Sequence, residues 1–441
     1  MGILGNDRNP HKEVKLFQFT QGIEVDRRLY LQEIRVQTEW ARGLMEMGIL
    51  TSDEFKKVCD GLEVATELIE SGKFEWKVTD EDIHMNLERF ITEKYGDLGK
   101  KMHLGRSRND LIATTLKLYV SDSLEKASHR LQNTISALVN LAERDLDVLI
   151  PGMTHVQHGQ PIRLAQFYLA HAAALARDVA EFERLAERTL YEMPLGSGAL
   201  SGTPLKINLE KIAEHLGFHS PALNSYDQVG NRDEIIQALA SFSLTAIHVS
   251  RLSEDLIYYS STAVGLFKLP QDYSTGSSMM PNKRNPDVPE LSRAKMTHVM
   301  GAHNEATLLM KALPTAYASD LHELKSVFMR AESELTQVLE ILPLFLEGLK
   351  TNESRAKQLL GQGHILATEM ADELTLNQKK PFRDAYNQVA GAVELAESQG
   401  VQLHELTHSM SDPYAAAVER RTQPGGTSRA QCLKQIEILK N

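Results

Sequence analysis

Between residues 116 and 146 the apolar side chains fall at Leu116, Val120, Leu124, Ala127, Leu131, Ile135, Leu138, Ala142 and Leu146. Steps of three and four place them all on one helical stripe. With Pro151 as the first breaker downstream, the stripe predicts a helix of about 35 residues, roughly 50 Å long at 1.5 Å per residue. Comparable patterns occupy 163–192, 232–264, 289–312 and 320–349. The last of them carries Pro343, expected to kink it or interrupt it locally. Five such helices call for an all-α fold built on a long central helical bundle. Helices this long commonly bury an extra apolar face against a partner subunit.

Shorter helical segments precede the bundle, at 27–48 and 52–71, and others follow it, punctuated by Gly361-Gln362-Gly363, Pro381 and Gly425-Gly426. The expected organisation is therefore an N-terminal helical domain over 1–105, a central bundle and oligomerisation domain over 106–354, and a small C-terminal helical domain over 355–441. Any sheet is expected to be a small ribbon around 195–207. The string Gly196-Ser197-Gly198-Ala199-Leu200-Ser201-Gly202 lacks the spacing and the βαβ surroundings of a dinucleotide loop. It reads instead as a glycine-rich turn packed near the site.

A net charge of −11 over 441 residues argues against nucleic-acid binding as the main task. Hydrophobic residues make up 42%, and no stretch is expected to approach the apolar run of a membrane helix, so a soluble protein without a membrane partner is expected. Met1-Gly2-Ile3-Leu4-Gly5-Asn6 lacks the pattern of a secretory signal. Cys59 and Cys432 are the two cysteines, which fits a reducing cytoplasm and leaves no disulfide framework.

On this acidic background one loop concentrates chemistry: Gly276-Ser277-Ser278-Met279-Met280-Pro281-Asn282-Lys283-Arg284-Asn285-Pro286-Asp287. Two hydroxyls, two cations and an amide sit in a segment that Gly276 lets approach closely and that Pro281 and Pro286 stiffen. Such a loop suits a small anion. Just beyond it, Asp287-Val288-Pro289-Glu290 fits a helix capping box, with Asp287 as the cap. His155, in Thr154-His155-Val156-Gln157-His158, stands in the connection between two long helices. Arg106-Ser107-Arg108-Asn109-Asp110 places two planar guanidinium forks at a loop or helix entrance, a pattern suited to carboxylate binding.

The serine loop resembles the signature of the fumarase/aspartase superfamily, whose members break a C–N or C–O bond and release fumarate. The string from Gly105 to Asp110 and the Thr154-His155-Val156-Gln157 element resemble those of the argininosuccinate lyases, and further matches extend over nearly the whole chain. The resemblance implies a fumarase/aspartase-like bundle, an all-α homotetramer whose sites draw on three subunits, and a reaction that uses no metal or organic cofactor. It implies Ser277 as the base, with Lys283 and Asn285 on the carboxylate that collects charge. His155 would be the proton donor, with Glu290 orienting it, whether or not Glu290 also caps its helix. Arg106, Ser107, Arg108, Asn109, Thr154 and Ser278 would bind the substrate. Asp26, Tyr317, His322 and Lys325 would meet its arginine end.

Several positions depart from the argininosuccinate lyase pattern. Asn282, Leu111 and His322 stand where glutamine is common, and Gly22 where serine is. These departures fall mainly in elements expected to bind the leaving group. Three functions therefore remain open from sequence: elimination of fumarate from argininosuccinate, the same elimination from another N-substituted aspartate, and a non-catalytic relative that keeps the fold.

Overall fold

Five long helices dominate the computed structural model, which describes residues 10–406 and 412–440. The stretch 1–6, on which the expectation about secretion rests, lies outside them. The helices run Arg108–Arg144, Leu164–Thr189, Asp233–Ser260, Asp287–Met310 and Leu321–Gly348. The first begins earlier than its periodic stripe because Leu111 and Ile112 are themselves buried and carry the apolar face toward the N-terminus. Pro343 lies inside Leu321–Gly348, which continues through it.

Strands among the described residues form three two-stranded ribbons, and none is at 195–207. The longest pairs Leu149–Thr154 with Gln157–Arg163 in antiparallel register, including Pro151 opposite Pro161. The expected ribbon at 195–207 is instead a run of turns, its backbone bent by left-handed Gly196, Gly198 and Gly202.

Helix Asp233–Ser260 is long and apolar enough by composition to cross a membrane, with a mean hydropathy of 1.3 over its most apolar window. This corrects the expectation that no stretch approaches such a run. Ile235, Leu239, Phe242, Val249 and Leu252 of this helix are buried inside the protein, while Leu244 and Ile247 are exposed.

Cα packing groups the chain into two compact units, each assembled from separated segments. The first comprises the chain up to Ser128 with Ala180–Ser243 and His298–Leu335. Its N-terminal helices start on explicit caps. Thr51 accepts from the Glu54 amide at 3.1 Å while Glu54 accepts from the Thr51 amide at 2.8 Å, the reciprocal box that opens Ser52–Glu70. Asp82 accepts from the Met85 amide at 2.9 Å and opens Ile83–Tyr95. Trp40, Leu44, Leu62, Leu118, Met193 and Leu216 share one core cluster. Deeper in the unit, Phe242 packs on Phe182 at 5.3 Å and on Phe328 at 5.8 Å between ring centroids.

The second unit comprises His129–Val179, Leu244–Thr297 and the chain from Thr336. Phe167, Tyr259 and Phe267 form an aromatic trio with centroid separations of 5.2 to 6.1 Å, and Tyr168 stacks on Phe267 at 6.0 Å. The C-terminal helices Ala367–Gln378 and Phe382–Gln399 bury Ala371 and Val389 with Leu403.

Candidate active site

The serine loop belongs to the second unit and is closed by its own backbone. Gly276 and Arg284 form an isolated antiparallel bridge, the Asn285 amide donates to the Thr275 carbonyl at 3.0 Å, and the Thr275 amide donates to the Asp287 carboxylate at 2.7 Å. Asp287 is thus occupied by the loop, and the Glu290 amide donates to the Pro286 carbonyl at 3.0 Å. The expected Asp287–Glu290 capping box is not formed, because the helix Asp287–Met310 already contains Asp287 in its first turn.

Within the closed loop, Ser277 Oγ accepts from the backbone amides of Met279 and Met280 at 3.2 and 2.9 Å. Two N–H dipoles aimed at one hydroxyl oxygen stabilise negative charge on that atom. In the same loop Ser278 and Lys283 are exposed and Asn285 is half-buried. Lys283, Arg284, Asn285 and Glu290 line a cleft of about 1020 Å³, ample for a dicarboxylate.

Thr154 ends one strand and Gln157 begins the next, so His155 and Val156 form the two-residue tip of the hairpin. Both hold left-handed backbone, with φ of 55° and 59°. Two consecutive positive-φ residues match the twist of the flanking strands, but a β-branched residue such as Val156 is strained in that region. The tip projects the exposed His155 imidazole outward. Among the described residues no hydrogen bond or ion pair involves the side chains of His155, Lys283 or Glu290.

The remaining predicted residues fall in the first unit. Arg108 opens the helix Arg108–Arg144 and uses its fork on two acids, Glu81 at 2.7 Å and Asp82 at 2.8 Å. Arg106 turns inward and is buried, with Nε and Nη1 lacking hydrogen-bond partners and with Glu33, Glu88 and Asp110 as the neighbouring charges. Ser107 Oγ accepts from the Asn109 amide at 3.3 Å, and Asn109 Nδ2 donates to the Ala199 carbonyl at 3.3 Å. Asp26 and Lys325 form an ion pair buried on both sides. Tyr317 meets His322 through its hydroxyl, and burial pushes the Tyr317 phenol up to about 12. Burial and the nearby Lys325 charge push the His322 imidazole down, which favours its neutral form. At Gly22 a β-carbon would stand 3.4 Å from Asp26 Oδ2 and 3.5 Å from Lys325 Nζ, so a side chain there would touch the pair. The leucine at 111 is buried in the apolar core cluster.

Sequence reasoning missed Glu33. Its helix, Tyr30–Glu46, buries Glu33 and Gln37 on the same stripe as Val36 and Trp40, and an acid and an amide on an apolar stripe were the available signal. His84 Nδ1 lies 2.6 Å from Glu33 Oε2, which also accepts from Thr115 Oγ1 at 2.8 Å. Burial pushes Glu33 up, yet the His84 charge and the hydrogen bonds from its neighbours carry it below the usual carboxylate range. Burial pushes His84 down, and Glu33 with Asp82 more than reverses this, raising the imidazole. The sign of the linkage follows. Glu33 contributes stability above its usual pKa of 4.5 and loses it as pH falls through its lowered folded value. His84 contributes stability below its usual 6.5 and loses it as pH rises through its raised folded value. In urea unfolding the stability gap between the wild type and Glu33→Gln is therefore expected to narrow as pH climbs above that raised value; a gap unchanged across the alkaline range would refute the pairing.

The chain also contains His404-Glu405-Leu406-Thr407-His408, which has zinc-protease spacing. That motif requires both histidines on one helix face. Here Leu403–Leu406 is a short 3₁₀ turn, and Thr407 and His408 lie outside the described residues. No group of three or more metal-binding side chains occurs among the described residues.

A family described as "Lyase" matches residues 12–301, and one described as "Argininosuccinate lyase C-terminal" matches 364–422. The argininosuccinate lyase of a Nitratiruptor species is 39% identical, with 98% of this chain and 96% of that protein covered. The chain belongs to the argininosuccinate lyase family. The argininosuccinate lyase of Nitratidesulfovibrio vulgaris (strain Hildenborough) is 38% identical over 96% of this chain and 94% of its own. Among solved structures, an EDDS lyase variant with bound fumarate superposes with a TM-score of 0.82 at 21% identity, covering 100% of this chain and 91% of that one. The class II fumarase from Schistosoma mansoni gives 0.74 at 18% identity, with 88% and 90% covered. These structural likenesses show that this family member shares the long-helix fold of those two proteins.

Proposed function

We infer that the protein is an argininosuccinate lyase, eliminating fumarate from argininosuccinate and leaving arginine. The observation that carries the chemistry is the pair of amides, Met279 and Met280, donating to Ser277 Oγ. A neutral serine is a poor base, and these dipoles together with Lys283 favour its alkoxide. Ser277 takes the proton from the carbon next to a substrate carboxylate. The electron pair left behind spreads onto that carboxylate, held by Lys283 and Asn285 with Ser278 and Thr154 beside it. The C–N bond then breaks, and the departing guanidinium nitrogen takes a proton from His155, which Glu290 orients. Arg106, Ser107, Arg108 and Asn109 address the substrate carboxylates, and Asp26, Tyr317, His322 and Lys325 its arginine end. Acid/base catalysis of this type supplies roughly 10²–10⁴-fold.

His155 and Glu290 form no hydrogen bond or ion pair with each other among the described residues, so the reading includes a homotetramer in which other copies complete each site. It also includes a cytoplasmic location and a division of labour among 1–105, 106–354 and 355–441. Mixing a His155→Asn preparation with a Ser277→Ala preparation, after dissociation and reassembly, is expected to restore part of the activity that each lacks. Mixtures as inactive as their components would sink the shared-site arrangement.

The departures at Gly22, Asn282 and His322 favour testing a second reading, a fumarate-releasing lyase for a different N-substituted aspartate. Fumarate release is to be followed over argininosuccinate, adenylosuccinate, aspartate and synthetic N-substituted aspartates. Argininosuccinate is expected to be turned over with the highest kcat/KM; an inert argininosuccinate beside another active compound would transfer the assignment to that compound.

A further inference from the structure

We propose that Asp110 is a positioning residue for substrate binding, one that ties the 105–109 loop to the glycine-rich turn at 196–202. Asp110 is fully buried, and both carboxylate oxygens are committed to backbone donors. Oδ1 accepts from the Ser107 amide at 3.0 Å. Oδ2 accepts from the Gly196 and Gly198 amides at 3.0 and 2.8 Å. The carboxylate thus joins its own loop to a segment far along the chain, with separations of 86 and 88 residues.

The turn is shaped to make this contact. Gly196 and Gly198 hold φ of 100° and 59°, so two amides from alternate residues converge on a single oxygen. A β-carbon on Gly198 would stand 2.8 Å from the Gly202 carbonyl oxygen, and one on Gly105 would stand 2.2 Å from Leu205 Cδ1. Glycine at 198 thus lets the turn close on itself, and glycine at 105 lets the 105–109 loop pack against Leu205 just past the turn. Asn109 adds its own strut to the Ala199 carbonyl.

Asp110 has no exposed oxygen with which to meet a ligand. Its action passes through Ser107 and Asn109, and in this respect the inference rests on the proposed function. Of the charges near it, Arg106 faces it from the same loop. Burial pushes the carboxyl up to about 6 against the pull of the three amides and of Arg106. Protonation in that range replaces an acceptor with a hydroxyl donor beside N–H groups.

The test compares the wild type with Asp110→Asn and Asp110→Glu. In Asp110→Asn an amide NH₂ or a weaker acceptor faces three N–H groups, so KM for argininosuccinate is expected to rise about tenfold or more while kcat stays within about threefold. In the wild type KM is expected to climb as pH falls through about 6, and this limb should be missing from Asp110→Asn. Hydrogen exchange at the Gly196 and Gly198 amides should speed up in Asp110→Asn, a readout that needs no substrate. If Asp110→Asn does not fold, Asp110→Glu, which keeps the charge but displaces it, should show the same rise in KM. Unchanged KM with unchanged protection at both glycines overturns the inference, as does lowered thermal stability with KM unmoved. A wild type inert toward argininosuccinate would overturn the proposed function instead, with the exchange measurement still deciding the tie.

Discussion

Ser277→Ala is expected to lower kcat for fumarate release about a thousandfold while the protein remains folded. The hydroxyl is half-buried in a loop, and its hydrogen-bond partners are the Met279 and Met280 amides, both on exposed residues. Removing it leaves those two donors in contact with solvent, so little stability is lost. The chemical loss is large because no other hydroxyl in the loop accepts from an amide pair: Ser278 makes no such bonds among the described residues. KM should change little, since Lys283 and Asn285, the proposed carboxylate ligands, are retained. The measurement is steady-state fumarate release alongside a thermal melt. A variant within tenfold of wild-type kcat would remove Ser277 as the base.

Lys325→Met is expected to produce the largest loss of stability of any single change discussed for this protein. Lys325 and Asp26 are 2% and 1% exposed, and they neutralise each other in the interior. Lys325 donates to Asp26 Oδ1 and Oδ2 has no hydrogen-bond partner, so removing the ammonium leaves a buried carboxylate without its ion-pair partner. Breaking such a pair from one side typically costs about 3–5 kcal/mol, a large share of the roughly 5–15 kcal/mol by which folded domains are usually stable. The double variant Asp26→Asn/Lys325→Met should recover part of that loss, because it removes the stranded charge as well. Urea unfolding of the two variants checks this. A single variant that loses under about 1 kcal/mol would mean that the pair is hydrated in solution.

The long helices were legible because their apolar faces recur at helical spacing over 24 to 37 residues, and no local rule competes with a signal of that length. The hairpin was not legible. Its strands contain Pro151, Gly152, Gly159 and Pro161, all residues that argue against a strand. A two-stranded ribbon tolerates them because Pro151 and Pro161 sit opposite each other, and each strand has an edge facing away from its partner. At the candidate site, the loops 276–287 and 106–110 could be singled out because their polar and charged groups lie in contiguous residues. Buried partners were not. Glu33 sits on a helix stripe that otherwise reads as core, and Asp110 finds its donors 86 and 88 residues away. Neither relation has a local signature, since each arises only when distant segments have packed.

The segmental make-up of the two units bears on how the chain is born. His298–Leu335 supplies Phe328, the ring that stacks on Phe242 in the first unit. The ribosome must therefore deliver Leu335 before that half has all its parts, a wait of roughly 20–70 s at about 5–20 residues per second. Vectorial, one-domain-at-a-time folding is closed to this topology. Nascent chains stalled at residue 297 should hold an unfinished N-terminal half in which Phe242 lacks the Phe328 ring, a natural client for chaperones during synthesis.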